Sequence, residues 1–261
     1  MTKDLLNGNE TKVMLRFAIP MIVGNLFQQL YNVTDTMIVG KFIGPHALAA
    51  VGSSFSVMVL LTSIILGLCM GSGAVFSFLY GTKEIDKLKN SFFTSFWFIG
   101  FVTILINLCS FLLIDEILSF IHIPEDIWAD TKTYMQIIFY GIGFTYIYNY
   151  FASLMRSMGN SMVPLIFLII SAIINIVLDL IFVIPLKMGV AGAAYATIIG
   201  QGFSAVGIFI YCLLRVPQIR LSRKHLYFNK SILKMIANNS ILASIQQSIM
   251  NFGILMIQGL V

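Results

Sequence analysis

Asp35 and Asp179 stand alone inside the apolar part of this chain, while the other nine of its eleven acidic residues fall in tails or polar connections. An ionisable side chain at bilayer depth is costly, so it faces a protein interior or cavity and marks an ion or proton pathway. Asn175 lies four residues before Asp179, one helical turn away on the same face. Thr197 adds a hydroxyl on the next apolar stretch. At a rise of about 1.5 Å per residue, Asp35 lies about 9 Å from Lys41, Asp179 about 12 Å from Lys187 and Thr197 about 15 Å from Lys187. With both lysines on the outer face, the four oxygen-bearing side chains share a depth in the outer half of the membrane. Two chemistries fit them. Desolvation and a second nearby acid both favour protonation of a carboxylate, which suits a proton site. Carboxylate, amide and hydroxyl oxygens also replace water around a hard cation such as Na⁺. The plain alternative is hydrogen bonding between helices, which Asn or Ser would supply at lower cost.

Such a site needs long membrane helices to carry it, and the composition supplies them. The 261 residues are 58% hydrophobic and 10% charged, with a mean hydropathy of +0.92; a soluble domain carries about 25% charge. Residues 17–34, 42–82, 90–114, 133–155, 157–178, 188–214 and 235–261 are free of charge. About twenty apolar residues span a bilayer as a helix. The alternating ten-residue strands of a membrane barrel are absent from the sequence. The predicted class is all-α integral membrane protein. The formal charge of +5 does not indicate nucleic acid, because the basic residues gather in short connections, where they set orientation.

Charge also decides how often 42–82 crosses. One crossing with the N-terminus inside puts thirteen Lys and Arg inside and three outside; two crossings reverse this to five and eleven. Positive residues stay cytoplasmic, so one crossing is expected. The excess length is assigned to an interfacial or protruding segment near Gly71-Ser72-Gly73 or Gly44-Pro45. Six spans follow, near 14–39, 46–79, 90–114, 129–151, 161–185 and 190–214, with an acidic external loop over 115–130. The division is a cytoplasmic tail (1–13), a six-helix lobe (14–214), a cytoplasmic linker (215–234) and the first helix of a second lobe (235–261). Leu15-Arg16, Gln28-Gln29 and Met37-Ile38-Val39-Gly40 are echoed by Leu233-Lys234, Gln246-Gln247 and Met256-Ile257-Gln258-Gly259. Six helices and a restart put the copies in one orientation, a parallel repeat. The last run reaches Val261 without a polar anchor, as expected of a chain that continues.

Pro20 removes a backbone donor within the first span and is a candidate hinge. Gln28, Gln29, Asn32 and Met37 on that span are candidates for lining a substrate cavity. Gly67 and Gly71 have the spacing of a small-residue helix-packing face, and the small residues of 189–197 suit close approach of the sixth span. Cys69, Cys109 and Cys212 are read as apolar packing residues, Trp97 as core and Trp128 as interfacial. No phosphate-cradling loop, nucleophile elbow or zinc motif occurs, so an enzyme or ATP-driven pump is not expected.

Pro20 with Asp35, Gly40-Lys-Phe-Ile-Gly44 with Leu48-Ala-Ala50, the Asn175–Asp179 pair and the run from Gly189 to Thr197 together resemble the multidrug and toxic compound extrusion (MATE) transporters. The resemblance implies twelve helices in two six-helix lobes, of which this chain holds the first lobe and the start of the seventh helix. It implies antiport of H⁺ or Na⁺ against small cationic, amphipathic organic compounds. Asp35, Asn175, Asp179 and Thr197 would form the cation site, and Pro20 would let the first helix bend. A monomer in the plasma membrane is expected, surrounded by lipid, with a cytoplasmic N-terminus and no cofactor beyond the coupling ion. Where some branches carry Glu in the seventh helix, this chain reads Ser244-Ile-Gln-Gln-Ser248, which points to a branch relying on the first lobe. A lipid or lipid-linked-precursor flippase is the alternative; the acids in mid-membrane, where a phosphate carrier needs Lys or Arg, disfavour it.

Overall fold

The computed structural model describes residues 10–219 and 222–258. Within them the chain is helical throughout: α1 (Glu10–Phe42), α2 (Pro45–Gly81), α3 (Ile85–Leu112), α4 (Ile114–Phe120), α5 (Glu125–Ser157), α6 (Met162–Val183), α7 (Gly189–Arg215) and α8 (Lys230–Gln258). Two single 3₁₀ turns, Pro217–Ile219 and Arg223–His225, lie between α7 and α8. Six long helices, α1, α2, α3, α5, α6 and α7, form a bundle, and α8 packs on it through α2 and α3. Among the described residues α2, α3, α6 and α7 are long and apolar enough to cross a membrane on composition alone. α1 and α5 carry more polar residues: the acid and amides of the first span in α1, and Glu125, Asp126, Asp130 and Lys132 at the start of α5.

α1 and α2 part at Gly44, whose φ of 125° is open to glycine and strained for other residues. Pro45 follows at the first helical position, where its missing N–H costs nothing. From there α2 runs unbroken for 37 residues, about 55 Å. The single crossing of 42–82 holds, but no separate segment forms at Gly71-Ser72-Gly73. The excess length is continuous helix extending past the hydrocarbon, which is about 30 Å thick. The external loop also departs from expectation, since Ile114–Phe120 folds into the short helix α4.

α2 is central and packs on α5, α3 and α8; α5 packs on α7, α7 on α6, and α6 on α1. The main core joins α2, α3, α5 and α8 around Phe76, Phe92, Phe139 and Tyr150. Phe76 and Phe92 meet edge to face at 4.8 Å between ring centroids. A smaller apolar cluster that includes Val39, Ala47, Val51, Val190, Ala193 and Ala194 closes the end of the bundle where α1 passes into α2 and α7 begins.

The glycines at 67 and 71 serve the predicted packing role, with α8 as the partner. A Cβ on Gly67 would lie 2.6 Å from the Ser244 nitrogen and 2.8 Å from the Ala243 carbonyl oxygen; one on Gly71 would meet the Asn239 and Ser240 backbone. The close approach lets Ser240 donate to the Leu68 carbonyl at 2.9 Å and Ser244 to the Ile64 carbonyl at 3.2 Å. Two smaller expectations fail. Trp97 is 55% exposed rather than core, and Cys109 is exposed while Cys69 and Cys212 are buried. Periodicity places a residue on a helix but does not say which of its faces meets protein.

Candidate functional site

α1 enters from the side of the 82–84 turn and brings Asp35 near its far end; α6 runs parallel to it and brings Asp179 near its own. α7 starts at that far end and descends, so Thr197 arrives at the same level. The three helices are neighbours, and the four predicted oxygen donors converge. Asp179 is fully buried, Asn175 nearly so, and Asp35 is 7% exposed. The two carboxyl groups lie close to each other across the α1–α6 contact. Asn175 Nδ2 donates to Thr197 Oγ1 at 3.4 Å.

Two tyrosines complete the cluster, and sequence reasoning missed both. The Tyr31 hydroxyl donates to Thr197 Oγ1 at 3.4 Å. Tyr134, buried on α5, lies near Asp35, Asp179 and Thr197. Tyr31 had a signal: it precedes Asp35 by one turn and so shares its face. Tyr134 had none, because only the packing of α5 on α7 brings it close.

The electrostatics are one-sided. Asp35 Oδ1, both carboxylate oxygens of Asp179 and Asn175 Oδ1 are buried with no hydrogen-bond donor among the described residues. No basic side chain pairs with either acid there. An acceptor buried without a donor costs several kcal/mol when charged, so the arrangement calls for positive charge. Carboxylate and amide oxygens buried on the facing sides of α1 and α6 suit a proton shared between carboxyls or a small hard cation.

The other predicted residues sit apart from this cluster. α1 runs unbroken through Pro20, which is buried; its missing N–H leaves the Arg16 carbonyl without its intrahelical donor. Gln28 and Gln29 are exposed, and Asn32 donates to Gln29 at 3.3 Å along the same helix. Met37 is 68% exposed and points away from Asp35, two residues along the helix. The structure gathers none of these five into the acidic cluster.

The comparisons agree with this architecture. The family model MatE matches residues 20–181. The chain is 32% identical over 224 residues to the probable multidrug resistance protein YpnP of Bacillus subtilis (strain 168), covering 84% of this chain and 48% of that one. It is 26% identical over 243 residues to the multidrug export protein MepA of Staphylococcus aureus (strain NCTC 8325 / PS 47), covering 92% and 53%. A solved outward-facing MATE transporter of the MOP superfamily superimposes with a TM-score of 0.86 at 26% identity, over 93% of this chain and 54% of that one. The chain thus spans about half the length of the curated relatives it matches. A polar cluster on α1, α6 and α7, a helical lobe and a matched segment that contains both acids lead to one assignment: this chain belongs to the MatE family of membrane transporters.

Proposed function

We propose that the protein works as a secondary active efflux transporter, exchanging H⁺ or Na⁺ for small cationic, amphipathic organic compounds across the plasma membrane. The observation that carries this is the set of four buried acceptor oxygens on Asp35, Asp179 and Asn175 that lack a donor among the described residues. The names of the relatives, multidrug resistance and multidrug export proteins, support the substrate class.

The cation neutralises the acids and draws Asp35 of α1 toward Asp179 and Asn175 of α6 and Thr197 of α7. Without it, two like charges in a low dielectric push α1 away from α6. The cation therefore biases how α1 packs, and Pro20 supplies the weak point at which α1 bends. Gln28, Gln29, Asn32 and Met37 lie on α1 surface outside that contact and serve the substrate side. A drug that binds better when α1 is displaced competes with the cation, and the coupling is reciprocal. In this reading the N-terminus is cytoplasmic, residues 14–214 act as one lobe, and α8 opens the second lobe of a monomer. A phosphate-headgroup flippase fits less well, since among the described residues neither buried acid is paired with a Lys or Arg.

The test is ethidium efflux by the full-length transporter in liposomes under imposed proton and sodium gradients. Asp35→Asn and Asp179→Asn keep the side-chain volume but cannot be neutralised by a cation. Both should abolish gradient-driven efflux at normal expression; wild-type rates in either would refute the assignment.

A further inference from the structure

Below the acids, the lobe interior carries polar side chains where lipid-like packing would be expected. On α6, Ser171, Asn175 and Asp179 follow one another at one-turn spacing on one face. On α7, Thr197 and Gln201 do the same. The two rows run side by side. Counted from the outer ends of their helices, Asn175 and Thr197 are both about 12 Å deep, and Ser171 and Gln201 both about 18 Å. Gly200 makes this possible, since a Cβ there would lie 3.0 Å from the Ser171 carbonyl and 3.4 Å from its hydroxyl. The third wall is α5. Thr145 donates to Gln201 Oε1 at 2.9 Å, and Asn149, one turn further in, anchors to the Thr145 carbonyl at 2.8 Å. Asn149 stands about 12 Å from the inner end of α5.

The outward direction differs. One turn beyond Asp35 comes Val39, and one to two turns beyond Thr197 come Ala193, Ala194 and Val190, all within the apolar outer cluster. Polar side chains thus continue inward from the acids and stop outward of them. Hydrogen bonds between helices explain the pair Thr145–Gln201 but not why successive turns of three helices are polar at matched depth. Uncharged polar side chains also bind helices together, but a row of them that leads inward from a buried acidic site supplies the oxygens that an ion route needs.

We propose that Ser171, Gln201, Thr145 and Asn149 form the inward release route by which the coupling cation leaves the Asp35–Asp179 site toward the cytoplasm. This rests on the exchange function proposed above. Gln201 is its narrow point, because its carboxamide oxygen is held by Thr145 and its helix is pressed against Ser171. The route suits a monovalent cation, either a proton relayed between hydroxyl and amide groups or Na⁺ stepping between their oxygens.

The test uses the full-length transporter in liposomes, with Thr145→Val, Gln201→Leu and Asp35→Asn compared with wild type. Ethidium efflux is driven by a proton gradient in one arm and a sodium gradient in the other, and the active arm names the ion. Thr145→Val and Gln201→Leu should lower the maximal driven rate about tenfold, a barrier change of about 1.4 kcal/mol, and leave the half-saturating cation concentration unchanged. Thr145→Ser, which keeps the hydroxyl, should restore the rate and so separates the route from a packing role. Wild-type rates in both route variants with Asp35→Asn inactive would overturn the route and leave the exchange function standing. A shift in half-saturating concentration at unchanged maximal rate would also overturn it, since the residues would then belong to the binding site. An active Asp35→Asn would remove the exchange function and the route with it.

Discussion

Replacing Gly71 by alanine or leucine tests whether the α2–α8 seam is a direct backbone contact. A Cβ at Gly71 would sit 2.5 Å from the Asn239 carbonyl carbon, in a position backed by the Ser240 Cα. Nonbonded carbons prefer about 3.5–4.0 Å, so the helices must separate by about 1 Å. That movement stretches the 2.9 Å bond from Ser240 to the Leu68 carbonyl and the 3.2 Å bond from Ser244 to the Ile64 carbonyl. Interhelical hydrogen bonds in membranes contribute about 0.6 kcal/mol each, and overpacking costs about 1–3 kcal/mol. Gly71→Leu should therefore lose about 2–4 kcal/mol, and Gly71→Ala somewhat less. Gly52 is the control, because a Cβ there meets nothing within 4 Å. Gly52→Ala in the same helix should be neutral or up to about 1 kcal/mol stabilising. The assay is unfolding of the full-length protein in mixed micelles with rising denaturing detergent, followed by far-ultraviolet circular dichroism. Gly71→Ala as stable as wild type, or Gly52→Ala equally damaged, would refute the seam.

Asn90→Ala should loosen the connection between α7 and α8. Its buried amide donates to the His225 carbonyl at 3.1 Å and the Tyr227 carbonyl at 2.8 Å, and each acceptor stranded costs about 1–3 kcal/mol. His225 is otherwise held by Asp86 and Ser222, both at 2.9 Å from its ring nitrogens. Limited proteolysis should cut within 217–229 several-fold faster in Asn90→Ala, and an unchanged rate would contradict that anchoring. Lys132→Ala should do little, since the Lys132–Asp115 pair, 2.6 Å apart, is solvent-facing and such pairs contribute about 0–1 kcal/mol. A loss above about 2 kcal/mol in the micelle assay would mean the pair is shielded from water.

Much of the site was legible because membranes simplify the physics. Hydrocarbon forces every span to be a helix, so residue number converts to depth, and lysines mark the faces. Asp35, Asn175, Asp179 and Thr197 could therefore be set at one level by counting. Counting also gave one crossing for 42–82, because two would have reversed the charge asymmetry. It gave no lateral information. Tyr134 could not be tied to the acids until α5 was packed on α7, and Trp97 was misplaced because both sides of a membrane helix look apolar.

The sequence by itself determined that the chain is helical, where its long helices fall and how far along them its polar groups lie, since the bilayer acts on each span separately. The tertiary structure alone decided which faces meet. Those contacts depend on close-range fit, such as Gly71 against Ser240 or Gly200 against Ser171, between residues far apart in the chain. Fit at that range is set by where two backbones lie, and no local pattern in the sequence specifies it.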